Sequence, residues 1–201
     1  MPRKLNRAYK KGSPHRDHRK FIIVAEGERE DDYFRFFNAK NQRIIISIVA
    51  RDGGKSACKH FLERVRKYDD EFGIEPNDQL WFILDVDKWL RSDIDELAKH
   101  CVDTPNREIA ISNPCFEVWL YFHFGDPAKL TELTPQSIKT SLHTLIPGGY
   151  KREVFAPEIE KATAKAEKAD KNPIHYFPDP LTTKVYKLSA QMLQFTGKSF
   201  R

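Results

Sequence analysis

The stretch FIIVAEGEREDDYF (residues 21–34) joins a hydrophobic strand to an acidic helix start. The run KFIIVAE (20–26) is continuously apolar and rich in β-branched residues, which is typical of a strand buried on both faces. Five acids lie within the seven positions 26–32: Glu26, Glu28, Glu30, Asp31 and Asp32. A solvated helix start is one interpretation, because acids stabilise the first turn of a helix. A metal site at the end of the strand is the other.

Strands and helices alternate on the C-terminal side of this stretch. Apolar, β-branched runs predict three more strands, at 43–50, 79–87 and 107–112. Apolar side chains at helical spacing predict the intervening helices, within 31–40, 57–72, 93–101 and 115–124. This βαβαβαβα order predicts an α/β fold with a parallel four-stranded sheet flanked by helices.

The pattern changes beyond residue 125. Prolines separate three further predicted helices, near 135–145, 157–170 and 182–195, and we predict no further strand. We therefore divide the chain into a basic N-terminal arm, an α/β core and a helical C-terminal extension packed on the core. Their predicted bounds are 1–19, 20–125 and 126–201.

The composition indicates a folded cytoplasmic protein. The chain is 40% hydrophobic and 12% aromatic, and no apolar run approaches the roughly 20 residues of a membrane span. The basic N-terminus lacks the apolar segment of a secretory signal. The three cysteines form no CxxC pair, which favours reduced thiols over a zinc site.

The positive charge is concentrated in the first residues. Residues 1–20 hold eight Lys and Arg against one acid, a net charge of +7, so the rest of the chain carries −2 of the total +5. Such an arm suits the phosphate backbone of DNA or RNA, because that attraction is electrostatic. A solubilising tail is the alternative. The candidate nucleic-acid-binding residues of the arm are Arg3, Lys4, Arg7, Lys10, Lys11, Arg16 and Arg19.

Lys55 is a further candidate for a phosphate contact. It lies in the turn DGGKS (52–56) before a predicted helix, whose N-terminus attracts anions. The turn is not a P-loop, because Val49 stands where that motif has its first glycine.

Acids end two of the predicted strands. Glu26 ends the first, and Asp85 and Asp87 end the third in LDVD. Ligands of open parallel sheets bind outside the carboxyl ends of the strands, and two residues that are two apart on a continuing strand share one face. Unpaired acids there would repel one another and raise their pKa values. A Mg²⁺ ion, or Mn²⁺ in its place, would remove this conflict. Helix capping is the alternative, and we expect it for Glu28, Asp31 and Asp32.

Two other motifs leave alternatives open. Glu117 is one acid in the largely apolar helix CFEVWLYFHF (115–124), so it is a candidate for a second metal or for supporting the first, or it bonds to a loop. His123 in the same helix is assigned to the core. LDVDKW (84–89) also resembles the DxDxT motif of haloacid-dehalogenase phosphatases, in which Asp85 would be the nucleophile, although Trp89 replaces the threonine.

Four segments of the chain carry a resemblance: IIVAEGEREDDYF (22–34), WFILDVDKW (81–89), ISNPCFEVWLYFHF (111–124) and PDPLTTKVYKL (178–188). Together they resemble the RloB-like family, Toprim-related proteins often found in restriction and anti-phage loci. The EG that closes the first strand and the later DxD also resemble the Toprim fold of topoisomerases, bacterial primases and OLD-family nucleases. The resemblance implies a compact, Rossmann-like sheet.

The resemblance implies a Mg²⁺-dependent nuclease of DNA or RNA in anti-phage defence or a restriction-associated system. Glu26, Asp85 and Asp87 would be catalytic metal ligands, and Lys151 is similar to a family lysine that would stabilise transition-state charge. Glu30, one helical turn after Glu26, would help to hold a second ion. With Glu117, the candidate ligands are Glu26, Glu30, Asp85, Asp87 and Glu117.

The alternative from another class is a non-catalytic nucleic-acid-binding subunit. Such a subunit would act beside a partner ATPase or another restriction-system subunit. A homodimer is compatible with either function.

Overall fold

The structure, a computed structural model, describes residues 18–38, 40–51, 58–131 and 133–196. The predicted division at residues 19 and 125 stays a prediction. Seven of the nucleic-acid-binding candidates lie outside the described residues: Arg3, Lys4, Arg7, Lys10, Lys11, Arg16 and Lys55.

A five-stranded mixed sheet lies at the centre of the fold. Its strands are β1 (Arg19–Ala25), β2 (Ile44–Ile48), β3 (Gln79–Asp85), β4 (Arg107–Asn113) and β5 (Thr182–Thr183). Their order is β2-β1-β3-β4-β5, with β1 to β4 parallel and β5 antiparallel to β4. The four predicted strands are confirmed. The prediction of a purely parallel four-stranded sheet was wrong, because the chain returns to add β5 at one edge.

The fifth strand is short and held by hydroxyl groups. Thr183 pairs with Ser112 and is fully buried, and their hydroxyl oxygens lie 2.8 Å apart. A two-residue strand has no periodicity from which it could be predicted, because the alternation of a strand needs at least four residues to be visible.

Eight helices surround the sheet among the described residues. The seven predicted helices are present, and α6 was not predicted. The bounds are α1 (Glu28–Arg35), α2 (Cys58–Phe72), α3 (Arg91–Asp103), α4 (Glu117–Phe124), α5 (Pro135–Leu145), α6 (Arg152–Phe155), α7 (Ile159–Ala169) and α8 (Val185–Thr196). Short 3₁₀ turns occupy Val86–Lys88, Pro127–Lys129 and Ala156–Glu158.

The sheet is buried on both faces. Alternate residues of β1 enter opposite hydrophobic clusters, with Phe21, Ile23 and Ala25 in one and Ile22 and Val24 in the other. The first cluster includes side chains of α1, α4, α5, α7 and α8, and the second includes those of α2 and α3. The helices after residue 126 therefore share a continuous core with the sheet.

His123 is a core histidine, as predicted. It is buried on α4, where Tyr33 Oη lies 2.9 Å from Nε2 and the Trp119 carbonyl lies 3.0 Å from Nδ1. Burial lowers the pKa of His123 to about 3, so the imidazole is neutral. It is therefore fixed in the core and is not a general base.

Candidate metal centre at the carboxyl end of the sheet

The sheet order places the acids at the ends of β1 and β3 side by side. Glu26 follows β1, and Asp85 is the last residue of the neighbouring β3. The backbone N–H of Asp85 lies 3.4 Å from Glu26 Oε2. A pocket of about 200 Å³ opens beside them, and Asp85, Asp87, Glu30 and Glu117 all line it. The structure thus brings acids from four chain segments to one edge.

Asp85 is a buried carboxylate with an unsatisfied oxygen. It is 4% exposed, and its Oδ1 has no hydrogen-bond partner among the described residues. Burial raises the pKa of Asp85 well above its ordinary value, and the negative charges of Glu30, Glu26 and Glu117 raise it further. Lys88 is a positive neighbour that opposes this shift, but it does not outweigh burial and the three acids.

Glu30 reaches the same pocket from the first turn of α1. It is 5% exposed, and its carboxylate lies against Gly27, where an added Cβ would be 2.4 Å from Oε2. Burial, with the charges of Glu26 and Glu117, raises the pKa of Glu30 to about 7. The absence of a side chain at Gly27 thus makes room for this carboxylate.

Asp87 enters the pocket from a turn and not from a strand. The prediction that it continues the strand of Asp85 was wrong, because β3 ends at Asp85 and a 3₁₀ turn begins at Val86. The backbone N–H of Asp87 donates to the Pro114 carbonyl (3.1 Å), which fixes this turn against the chain after β4. Asp87 is exposed as a residue. Partial burial nevertheless raises the pKa of its carboxyl group, Lys88 lowers this pKa, and Glu26 and Glu117 raise it further.

Glu117 is paired with two cations. It is buried at the start of α4 and forms ion pairs with Arg29 and with Lys139, whose Nζ lies 3.7 Å away. These two partners lie on α1 and α5, and the side chain of Cys115, in the loop before α4, also hydrogen-bonds to Glu117 as the loop alternative predicts. Both cations are about half exposed, so they lie at the mouth of the pocket.

Glu26 is positioned by two side chains of the turn after β3. Trp89 Nε1 donates to Oε2 (2.7 Å), and Lys88 Nζ lies 3.2 Å from Oε1. Trp89 is buried, and its indole N–H fixes the orientation of the carboxylate. Sequence reasoning missed both roles, although the two residues directly follow the DxD.

A comparison with protein-family models identifies the family of the chain. A family model described as RloB-like protein matches residues 21–192. The chain belongs to the RloB-like family. The match runs from β1 into α8, so the strand-end acids and the C-terminal helices all lie within the RloB-like region. No curated protein and no solved structure matches the chain at a significant level. None of the described helices of this RloB-like protein is long and apolar enough to cross a membrane.

Two predicted site residues lie apart from the acids. Lys151 precedes α6, is exposed and does not line the pocket. Its neighbour Arg152 donates to Asp32 on α1 (2.9 Å). Arg19 begins β1, so it lies at the amino ends of the parallel strands, where it donates to the Asn77 carbonyl (2.6 Å). Neither residue contacts the acidic pocket in this structure.

Arg64 is a buried cation that sequence reasoning missed. It is 5% exposed on α2 and donates to the carbonyls of Ala25 (2.9 Å), Val49 (2.9 Å) and Ala50 (3.0 Å). These carbonyls lie at the carboxyl ends of β1 and β2, so Arg64 holds the strand that leads to Glu26. The sequence does contain a signal for this burial. Arg64 lies three residues after Phe61, on the apolar face of α2, and a cation on that face is expected to be buried.

The acids do not form a complete coordination sphere in this structure. Among the described residues, no group of three or more His, Cys, Asp and Glu side chains has the arrangement of a metal site. The donor set is nevertheless one that suits Mg²⁺, because it consists of carboxylate oxygens. The unsatisfied Oδ1 of Asp85 is the atom that fits such an ion most directly.

Proposed function

We propose that this RloB-like protein is a Mg²⁺-dependent nuclease that cleaves DNA or RNA phosphodiesters in anti-phage defence or a restriction-associated system. The observation that supports this proposal most strongly is Asp85, a buried carboxylate with an unpaired oxygen at the carboxyl end of the sheet. An uncompensated buried charge destabilises a fold, so an external cation is the simplest partner for it.

Asp85 would hold the ion together with Glu26, Glu30, Asp87 and Glu117. A bound Mg²⁺ supplies charge neutralisation at the phosphoryl oxygens of the reacting phosphodiester. Glu26 is already oriented by Trp89 and Lys88. It would act as a ligand or as the general acid or base for the attacking water or the leaving oxygen.

The cations at the mouth of the pocket would bind the nucleic-acid backbone. Arg29, Lys88 and Lys139 all line the pocket and are about half exposed. Each can turn from an acid to a phosphate without leaving the surface. The basic N-terminal arm, which carries most of the +7 of residues 1–20, would recruit the polyanion.

The test compares two isosteric variants. Asp85→Asn removes the charged oxygen from the pocket, whereas Asp103→Asn changes an exposed aspartate at the end of α3, on the opposite edge of the sheet. We expect wild type and Asp103→Asn to cleave single- and double-stranded DNA or RNA with Mg²⁺ and not with EDTA. We expect Asp85→Asn to lose cleavage while still binding the substrate. Cleavage by Asp85→Asn at the wild-type rate would refute the proposed site.

A second function is supported by the ion pairs that already exist in the pocket. Lys88 lies 3.2 Å from Glu26, and Arg29 pairs with Glu117. A pocket neutralised in this way could serve a non-catalytic nucleic-acid-binding subunit that acts beside a partner ATPase. That function predicts binding in EDTA and no cleavage with Mg²⁺ or Mn²⁺ under any of these conditions.

A further inference from the structure

A loop before β5 carries three aromatic rings to the carboxyl end of the sheet. The rings of His175 and Tyr176 stack with centroids 5.1 Å apart and an interplanar angle of 18°. The guanidinium of Arg91 lies 3.8 Å from the ring centroid of Phe177 and 5.8 Å from that of Tyr176. We call these four side chains, Arg91, His175, Tyr176 and Phe177, the aromatic platform.

The loop that carries the platform is anchored on both sides. Lys184 Nζ donates to the Asn172 carbonyl (2.7 Å), and Asn113 Nδ2 donates to the Pro178 carbonyl (3.1 Å). Asn113 is the last residue of β4, so the loop is attached to the edge of the sheet at which the strand-end acids lie. The platform is therefore a fixed part of that edge.

Polar contacts also fix the individual rings. The Tyr176 hydroxyl donates to Asp95 and accepts from Arg91 (3.3 Å). The backbone N–H of Phe177 donates to Nδ1 of His175 (3.2 Å), and His175 is exposed. Rings that are ordered before binding lose little conformational entropy when a ligand stacks on them.

The platform is connected to the acidic pocket along the chain. Arg91 begins α3, three residues after Lys88, which lines the pocket and contacts Glu26. Two apolar side chains flank the platform in an exposed position: Leu90 is 71% exposed and Ile174 is 96% exposed. An exposed ring stack with a cation and an apolar border is the surface on which a nucleobase stacks.

We propose that the aromatic platform binds unpaired nucleobases of a single-stranded nucleic acid whose backbone passes the acidic pocket. The proposal deepens the nuclease function and rests on it. A base offers a flat apolar face to the His175–Tyr176 stack, and the adjacent Arg91 offers it a cation. The phosphates on either side of the base would meet Lys88. Duplex nucleic acid would contact the platform poorly, because its bases are already stacked on one another.

The experiment measures binding to strands with and without bases. The probes are fluorescein-labelled oligothymidine and oligouridine and an abasic strand of the same length, in EDTA to prevent cleavage. We expect the full-length protein to bind the base-containing strands about tenfold more tightly than the abasic strand. The thymidine and uridine strands then distinguish DNA from RNA as the source of the base.

Three variants locate the binding surface. His175→Ala removes the exposed ring and should weaken binding to the base-containing strands about tenfold, with no change for the abasic strand. Tyr176→Ala should do the same. Phe72→Ala is the control, because it removes a 62% exposed ring at the end of α2, on the opposite edge of the sheet, and should change nothing. Thermal melting establishes that each variant is folded.

The outcomes separate the platform from the nuclease proposal. Loss of base-dependent binding in His175→Ala supports the platform, even if Mg²⁺-dependent cleavage is absent and the nuclease proposal fails. Equal binding of base-containing and abasic strands, or unchanged binding by His175→Ala, overturns the platform and leaves the nuclease proposal intact. Such a result would favour a protein partner on this surface. Absence of binding to every strand overturns the platform, and cleavage of double-stranded DNA or RNA then decides the nuclease proposal separately.

Discussion

Replacing Glu30 by glutamine tests whether the acidic pocket is electrostatically uncompensated. The substitution Glu30→Gln keeps the size and shape of the side chain, so the neighbouring Gly27 still accommodates it. It removes the negative charge that raises the pKa of Asp85. If the pocket lacks a cation in the protein alone, this change should stabilise the fold at high pH.

The magnitude follows from the pKa of Glu30. Burial and its acidic neighbours raise that pKa from 4.5 to about 7, a difference of roughly 2.5 units at about 1.4 kcal/mol per unit. Because the folded pKa is raised, the stability contribution of protonated Glu30 is complete below pH 4.5 and is lost as the pH rises through 7. Ionised Glu30 therefore costs the folded protein about 3 kcal/mol at pH 8.

Thermal melting in EDTA between pH 5 and pH 8 measures this effect. We expect wild type to lose about 2–3 kcal/mol of stability over this range from Glu30 alone, and Glu30→Gln to lose much less. At about 2–4 °C per kcal/mol, the variant should melt about 5–10 °C above wild type at pH 8. Asp85 and Asp87 keep raised pKa values and leave a residual slope. The control Glu71→Gln, at an exposed position on α2, should follow wild type.

Addition of Mg²⁺ completes this test. Wild type should gain most from Mg²⁺ at pH 8, where the acids are ionised, and Glu30→Gln should gain less because a ligand is missing. A variant that shows the wild-type pH dependence in EDTA would mean that Glu30 does not ionise in this range. The electrostatic argument for a cation in the pocket would then fail.

Three further predictions concern the residues that support the site. Gly27→Ala should displace the Glu30 carboxylate and shrink the Mg²⁺-induced rise in melting temperature, while melting in EDTA changes little, because the extended backbone of Gly27 suits alanine. Arg64→Met should destabilise the protein by about 3 kcal/mol in urea unfolding, because the buried carbonyls of Ala25 and Val49 and the part-buried carbonyl of Ala50 lose their donor. Lys184→Met should cost about 3–5 kcal/mol, and adding Asp170→Asn should restore most of it, because the single variant leaves a buried charge unpaired.

The sequence predicted the parts of the fold that depend on local pattern. The continuous apolar, β-branched runs of β1 and β3 predict buried strands, and these predictions place Glu26 and Asp85 at strand ends. The sequence does not show whether these two strands are neighbours in the sheet. The sheet order β2-β1-β3-β4 supplies this information, because this order makes β1 and β3 neighbours.

The sequence could not predict features that depend on contacts between distant segments. Arg29 and Lys139 meet at Glu117 from α1 and α5, 110 positions apart along the chain, and no local pattern connects them. The 3₁₀ turn that redirects Asp87 depends on the carbonyl of Pro114. The aromatic platform likewise needs Arg91 from α3 beside a loop that lies 80 positions further along the chain.

Two buried aspartates of this chain show why the pocket points to an external partner. Asp170 is buried against Lys184 Nζ (2.5 Å) and the Tyr186 hydroxyl (2.7 Å). Its burial would raise its pKa, but these two donors outweigh burial and lower it. Asp85 is the more deeply buried of the two residues. Burial and the charges of Glu30, Glu26 and Glu117 raise its pKa, and its Oδ1 accepts no hydrogen bond among the described residues. The same fold thus satisfies one buried acid fully and leaves the other open at a pocket. A site at which a fold departs from its own rule is where function is expected. In the function proposed above, a divalent cation would supply the positive charge that Asp85 lacks.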